Sequence, residues 1–396
     1  MSGAWVRPAR GALALLRVPT ATGRAVIALA LAAWAGSAYT DIVELRLVAL
    51  MCALAVLLAV PWLLIPMRVR ASLALRPPRA VAGERVDITL SAVNDGRLSL
   101  WQPLVRLPVG ERDSWLRMPT MSPTERVGHD VVVEDLERGV HDVGPATAVR
   151  TDPLGLLRRA VQWCDPIELY VRPRMALLST LGSGQVRDLE GVPSDRVSMS
   201  DLAFHALREY VPGDDLRHVH WRSSARAGEL LVRQYHDTRR NHATVVLDPT
   251  PGSYLSDDEY ELGVSIAASL VMCAAREEYD ISLLSGREQI TSVPATTVLD
   301  ATCRVQRDPD AEPLAGEIHQ AIILAPDTSL LFVVTGSAAP DLDQLAAALV
   351  RVPAETRCVV LRAAPGDTPS VLRQHGYEVV MVGSLAELPG VMAASS

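Results

Sequence analysis

Two uncharged apolar runs near the N-terminus constrain this chain more than any other feature. "AVIALALAAWAGSAY" (Ala25–Tyr39) carries no charge over 15 residues, and "LVALMCALAVLLAVPWLLI" (Leu47–Ile65) none over 19. A helix rises about 1.5 Å per residue, so the second run can cross a bilayer core of about 30 Å. Seven residues separate the runs, Asp41, Glu44 and Arg46 among them, which predicts a helical hairpin. Pro61 lies near the end of the second run, where a membrane helix tolerates a kink. Arg7, Arg10, Arg17 and Arg24 precede the first run, and Arg68, Arg70, Arg76 and Arg79 follow the second. Arginine concentrates on the cytoplasmic side of membrane helices. The expectation is therefore a two-pass anchor in the inner (cytoplasmic) membrane, with both chain ends in the cytoplasm. It divides into a basic tail at 1–24 and a hairpin at 25–66. "AGSA" also resembles a processing site; cleavage there would still leave the soluble part cytoplasmic.

Composition narrows the chemistry. All 38 basic residues are arginine, so a lysine Schiff base, a lysine general base and a Walker A loop have no candidate residue. A GC-rich bacterial genome explains this more simply than selection for arginine. Net charge is -8, which argues against nucleic acid as a partner. Cys52, Cys164, Cys273, Cys303 and Cys358 are scattered, with no C-x-x-C pair. That spacing suits free thiols in a reducing compartment rather than a zinc ribbon or a disulfide framework.

Beyond the hairpin the pattern changes twice. Residues 67–175 show period-two alternation in short runs: Val86–Gly96, His129–Leu136 and Ile167–Pro173. Asn94-Asp95-Gly96, Arg138-Gly139, Gly144-Pro145 and Asp152-Pro153 punctuate them as turns. This predicts an antiparallel β-sandwich, Ig-like in type. Residues 176–241 comprise a Gly/Ser-rich linker, Ala176–Ser200, and then a dense charged segment. Residues 242–396 alternate apolar strands with helices: Ala243–Asp248, Asp257–Glu278, Asp280–Ser285, Ser329–Gly336, Asp341–Val352, Thr356–Ala363 and Tyr377–Gly383. That rhythm predicts an α/β, Rossmann-like domain around a mostly parallel sheet, with Asp248 at a strand's carboxyl end.

The charged segment, "REYVPGDDLRHVHWRSSARAGELLVRQY" (Arg208–Tyr235), admits several readings. Glu209, Asp214 and Asp215 could act as bases, with Ser223 and Ser224 as nucleophiles, which would make a hydrolase. Against that, Pro212-Gly213 suits a turn, and Asp214 or Asp215 a cap or a pair to Arg217. His218 and His220, on an extended segment, would point to one face, with Glu209, Asp214 or His236 as a third zinc ligand. No recognised ligand spacing supports this, and a mixed polar surface is the preferred reading of the five histidines from His205 to His242. Leu230–Tyr235 alternates like a strand with one wet face. Trp221 is expected to be a buried anchor between domains. Arg208, Arg217, Arg222, Arg226 and Arg233 face Glu209, Asp214, Asp215 and Glu229 in a mixed-sign network suited to carboxylate pairing.

The order of these pieces resembles bacterial membrane proteins that carry the "domain of unknown function 58", whose last part looks like a von Willebrand factor A domain. The resemblance rests on "RGVHDVGPATAVRTDPLGLLRR" (Arg138–Arg159), on the charged segment, and on "VVLD" after it. The segment's Arg208, Glu209, Tyr210, Gly213, Asp214, Asp215, Arg217, His220, Trp221, Arg226 and Glu229 carry the signature. The resemblance implies protein partners: a MoxR-type AAA+ ATPase and a transglutaminase-like membrane protein. Some von Willebrand A domains hold Mg²⁺ with Asp-x-Ser-x-Ser plus a later Thr and Asp. In "DPTPGSY" Asp248 and Thr250 fit, but Gly252 stands where the last serine belongs, and "VVTGS" (Val333–Ser337) lacks an acid. The expectation is a protein-binding scaffold or adaptor without a metal cofactor or an enzymatic activity. A metal-dependent ligand-binding domain and a hydrolase are the alternatives.

Overall fold

In a computed structural model the structure describes residues 18–40, 42–64, 66–181, 202–211, 219–237, 242–339, 342–374 and 377–394. The chain divides into two compact units between Arg172 and Pro173.

The first unit opens with two helices, α1 (Ala21–Thr40) and α2 (Val43–Leu64). Both are long and apolar enough to cross a membrane. They bury little of themselves: Leu29, Leu31, Leu47, Leu50, Leu54 and Leu57 all point outward. A helix that is apolar all round belongs in a non-aqueous setting. Both helices exceed the expected runs at the ends that face each other in sequence, so most of the seven-residue loop is helical. The boundary at residue 24 also needs correcting, because Ala21–Arg24 already form the first turn of α1. A charge there lies close enough to a helix end to stay in water.

Ten strands follow: β1 (Val69–Arg76), β2 (Arg79–Val81), β3 (Val86–Asn94), β4 (Leu104–Val109), β5 (Arg112–Arg117), β6 (Arg126–Val133), β7 (Gly139–Val143), β8 (Thr147–Thr151), β9 (Arg158–Gln162) and β10 (Ile167–Arg172). One sheet has the order β1-β3-β6 and the other β2-β10-β7-β4-β8-β9, with β5 on β4. Strand β3 alternates strictly, burying Val86, Ile88, Leu90 and Ala92. These pack with Val105, Leu107, Val109, Leu169 and Val171 of the second sheet in one core. Alternation therefore identifies the inward face. The strand expected at His129–Leu136 begins earlier, at Arg126, because it must cover β3 as far as Val93. The Asn94-Asp95-Gly96 turn is pinned from inside. Buried Asn94 donates to the carbonyls of Leu98 (2.9 Å) and Met121 (3.0 Å) and accepts from Gly96 N–H (2.9 Å).

The second unit begins with a correction to the expected linker. Leu178 and Leu181 are buried in its core, Ala176 N–H bonds to Ser269, and Arg276 donates to the Leu178 carbonyl. A short ribbon pairs β11 (Leu202–Glu209) with β12 (Leu231–Asp237), and helix α3 (Trp221–Ala227) lies between them in sequence. The rest comprises β13 (His242–Leu247), α4 (Asp257–Arg276), β14 (Asp280–Ser285), β15 (Glu288–Ile290), α5 (Ala295–Ala301), α6 (Leu314–Leu324), β16 (Thr328–Gly336), α7 (Leu342–Leu349), β17 (Arg357–Ala363), β18 (Ser370–Gln374), β19 (Tyr377–Val382) and α8 (Leu388–Ala394). The sheet order is β15-β14-β13-β16-β17-β19-β18, parallel in its centre, with antiparallel edges at β15 and β18.

All six residues of β13 are buried, which explains its unbroken apolar run. Ala243, Val245 and Leu247 face a core shared with α4, α5 and α8, while Val246 joins Leu284, Leu331 and Val333 under α6 and α7. Helix α4 starts at Ser256, whose hydroxyl accepts from Glu259 N–H, with Asp257, Asp258 and Glu259 in its positive first turn. Cys273 and Cys303 are buried, and all five cysteines are free.

Candidate functional site

Strand β13 comes first in sequence, β14 pairs on one side of it, and β16 on the other. In open α/β sheets this switch in order opens a crevice beyond the carboxyl ends of the strands. Asp248 and Thr335 meet there. Asp248 is completely buried; its Oδ2 accepts from the Thr335 hydroxyl (2.7 Å) and its Oδ1 from Thr250 N–H (2.9 Å). The loop after Asp248 folds back over the crevice. Tyr254 donates its hydroxyl to the Asp248 carbonyl (2.8 Å) and stacks edge-on against Tyr260 at 5.0 Å. Burial and the Asp248 carboxylate push the Tyr254 phenol well above its ordinary range.

Two further acids, unrecognised in sequence, close this edge. Glu259 is buried and accepts from Leu255 N–H (2.7 Å) and Ser337 N–H (2.5 Å). Glu317 is buried on α6 and accepts from Gly286 N–H (3.3 Å). Desolvation, then the nearby Asp248 and Glu312 charges, push its carboxyl up to about 6, against the Gly286 hydrogen bond. Gly336 is required: a Cβ there would lie 2.2 Å from the Ser253 carbonyl and 2.9 Å from Glu259 Oε1. The sequence did hold a signal for Glu259, a glutamate three residues after a serine at a helix start. Among the described residues, no group of three or more His, Cys, Asp or Glu side chains gathers in a metal-binding arrangement.

The signature segment forms a different kind of surface. Tyr210 N–H bonds to the Leu230 carbonyl and His220 N–H to the Leu231 carbonyl, so the ribbon frames α3. His220 is the N-cap: its Nδ1 accepts Ser223 N–H (3.2 Å) and lies 2.7 Å from Ser223 Oγ. Buried Ser224 bonds to the His220 carbonyl (3.1 Å) and receives Leu231 N–H (2.8 Å). Gly228, left-handed at φ 79°, ends the helix. The zinc reading paired His220 with His218, which lies outside the described residues, as does the side chain of His236; His220 itself is engaged as the cap.

Trp221 corrects the sequence expectation outright. It is 63% exposed on the first turn of α3 and not the buried side chain expected. Exposed Val211 and Leu230 accompany it, with Arg222, Arg226, Glu229 and Glu209 at the surface. The side chain of Arg208, together with Gly213, Asp214, Asp215, Arg217 and His218, lies outside the described residues. His242 also departs from the polar-surface expectation: it is buried at the start of β13, its Nε2 2.8 Å from Ser282 Oγ. Burial pushes its imidazole below the ordinary histidine range, against the pull of Asp280 and Asp327.

Residues 206–381 match the family model described as "Protein of unknown function DUF58". The chain carries a DUF58 region. That region takes in both the signature module and the sheet through most of β19. No curated protein matches the chain. Among solved structures, the CARDB domain of the PF1109 protein from Pyrococcus furiosus is 12% identical, over 26% of this chain and 92% of that one, at a TM-score of 0.20. The Pseudomonas fluorescens alkylpurine DNA glycosylase AlkC is 12% identical over 33% of this chain and 40% of its own, at 0.19. Spo0M, a sporulation control protein from Bacillus subtilis, is 14% identical over 26% and 49%, at 0.17. The chain thus spans less than half the length of the last two. Likenesses at these scores carry no argument about this chain.

Proposed function

We propose that the DUF58 chain is a membrane-anchored, cytoplasm-facing scaffold that binds other proteins through its signature module. The exposure of Trp221 carries this reading. Large exposed aromatics flanked by arginine are what dominate protein interfaces, because they bury much apolar area at small conformational cost. In a helix of this size, a tryptophan kept for packing would point inward. The arginine asymmetry around α1 and α2 supports the cytoplasmic side. On this reading the first unit's two sheets are an Ig-like sandwich and the second unit's sheet is von Willebrand A-like. A MoxR-type AAA+ ATPase is the expected partner, with a transglutaminase-like membrane protein as a second.

The test is capture of the full chain from detergent-solubilised membranes, followed by direct binding to a purified MoxR-type ATPase. The unmodified chain should retain the ATPase, and Trp221→Ala should lower retention at least about tenfold, the loss typical of an interface hot spot. An ATPase that ignores the unmodified chain sinks this partner assignment. Binding unaffected by Trp221→Ala moves the interface elsewhere.

One observation favours a second reading. Ser223 Oγ sits 2.7 Å from His220 Nδ1, the contact a hydrolase nucleophile needs. The same nitrogen serves as the helix cap, which accounts for the contact without catalysis.

A further inference from the structure

The turn between β8 and β9, Asp152–Leu157, grips the ends of both apolar helices. Thr20, just before α1, donates its hydroxyl to the Gly155 carbonyl (2.6 Å) and its N–H to the Leu156 carbonyl (2.9 Å). Arg158 N–H bonds to the Val18 carbonyl (2.7 Å), and Arg159 Nη1 to the Leu63 carbonyl near the end of α2 (2.5 Å). Gly23 permits the approach, since a Cβ there would lie 2.0 Å from the Leu156 oxygen. The turn is rigid, because buried Asp152 accepts from Leu154 N–H (2.9 Å) and Leu157 N–H (2.5 Å).

Depth follows from the packing. Leu156 and Leu157 are buried against Val26 of α1 and Ala59 of α2. Each of those residues stands five positions inside its helix end, or about 7.5 Å along the axis. The turn thus reaches past the helix ends, alongside the membrane-crossing segments. Leu154, on the same turn, is 59% exposed among the described residues. Exposed Arg24, Arg68, Arg158 and Arg159 surround this level, and Arg158 lies over the Trp115 ring at 5.6 Å. Trp62, two residues before the end of α2, is 44% exposed, while Trp34 and Tyr39 lie toward the other end of the hairpin. Apolar tips with arginine and aromatic rims are how monotopic elements sit at a bilayer interface.

We propose that the Asp152–Leu157 turn is a third membrane contact, with Leu154 in the acyl boundary and the arginine rim on anionic phospholipid headgroups. It makes the first unit's β-structure rest on the bilayer instead of hanging from it. The proposal rests on α1 and α2 spanning the membrane, and the test separates the two.

The full chain is reconstituted in nanodiscs of phosphatidylglycerol and phosphatidylcholine, with single nitroxide labels at Leu154→Cys or Leu50→Cys after Cys52, Cys164 and Cys358 are replaced by alanine. Relative collision with oxygen and with a water-soluble nickel chelate gives label depth. A label at Leu50, exposed in the middle of α2, should be deeply oxygen-accessible. A label at Leu154 should be oxygen-favoured and shallower, and Arg158→Glu should shift it toward water. If the Leu50 label is in lipid while the Leu154 label meets nickel as freely as in detergent-free solution, the third contact is overturned and spanning stands. A Leu50 label in water overturns both. An equal Leu154 depth in phosphatidylcholine alone overturns the anionic-headgroup part.

Discussion

Thr335 donates its hydroxyl to Asp248 Oδ2 across 2.7 Å, joining two parallel strands at the point where the sheet order switches. The bond occupies a carboxylate oxygen that a metal would want, and Thr250 N–H occupies the other. Thr335→Val would leave that buried oxygen with one partner fewer, at about 1–3 kcal/mol. The expected outcome is a lower urea midpoint with an unchanged m-value. Mg²⁺ titrated into the unmodified chain should leave its melting temperature where it was. An Asp248-dependent rise would restore the metal-binding alternative.

Glu317 sets a pH dependence whose sign is opposite to the usual carboxylate. Its folded carboxyl is pushed up to about 6 from an ordinary 4.5, so the native state holds the proton more tightly than the unfolded chain. The stability tied to this group is complete below about 4.5 and is lost as pH rises through about 6, a difference of about 2 kcal/mol. Glu317→Gln imitates the protonated form. It should raise stability at pH 7.5 by up to that amount and leave pH 4.5 nearly unchanged in denaturant titrations. A variant equally destabilised at both pH values would show that the carboxylate is held by more than Gly286.

His242 acts in the other direction. Its imidazole is held neutral by burial, so its contribution is present above the ordinary histidine range and lost as pH falls below about 6.5. His242→Asn should flatten the acid limb of the stability profile, whereas Glu317→Gln should flatten the fall in stability as pH rises from about 4.5 through about 6. Measuring both variants across pH 4–8 assigns each limb to its group.

The contact between His220 and Ser223 separates a cap from a catalyst. As a cap, His220→Ala should destabilise α3 by about 1 kcal/mol, and Ser223→Ala should cost less, with no change in turnover of any ester. His220→Asn should restore the cap. Ester hydrolysis by the purified chain that disappears in Ser223→Ala and is not restored by His220→Asn would establish the hydrolase reading.

Asn94 holds the first long turn of the strand-rich unit from within the core. Asn94→Leu keeps the volume but leaves the Leu98 and Met121 carbonyls without its donors. The expected loss is about 2–3 kcal/mol, read as a lowered urea midpoint. A loss under about 0.5 kcal/mol would mean that the turn is held by its backbone alone.

Much of this architecture was legible in local pattern. The alternation of Val86–Asn94 buries the face that its own periodicity defines, while the charge-free runs and the apolar run at Ala243–Asp248 are legible as unbroken apolar stretches. Short elements were not. Helices α5 and α8 are seven residues long, and their apolar positions gain meaning only against α4 and the sheet. Leu178 and Leu181 sit in a Gly/Ser-rich stretch that reads as a linker until α4 is there to receive them.

At the candidate sites the division is sharper. Residue type and spacing alone determined the hairpin, the change from strands to strand–helix alternation, the absence of lysine chemistry and the family signature. Tertiary structure alone decided that Trp221 faces water, that His220 is a cap, and that Asp248, Thr335, Glu259 and Glu317 converge from four separate elements and their flanks. Periodicity reports which side of its own element a residue occupies. Whether that side meets solvent, a neighbouring strand or a buried carboxylate depends on contacts between residues far apart in sequence, as between Asp248 and Thr335, 87 positions apart.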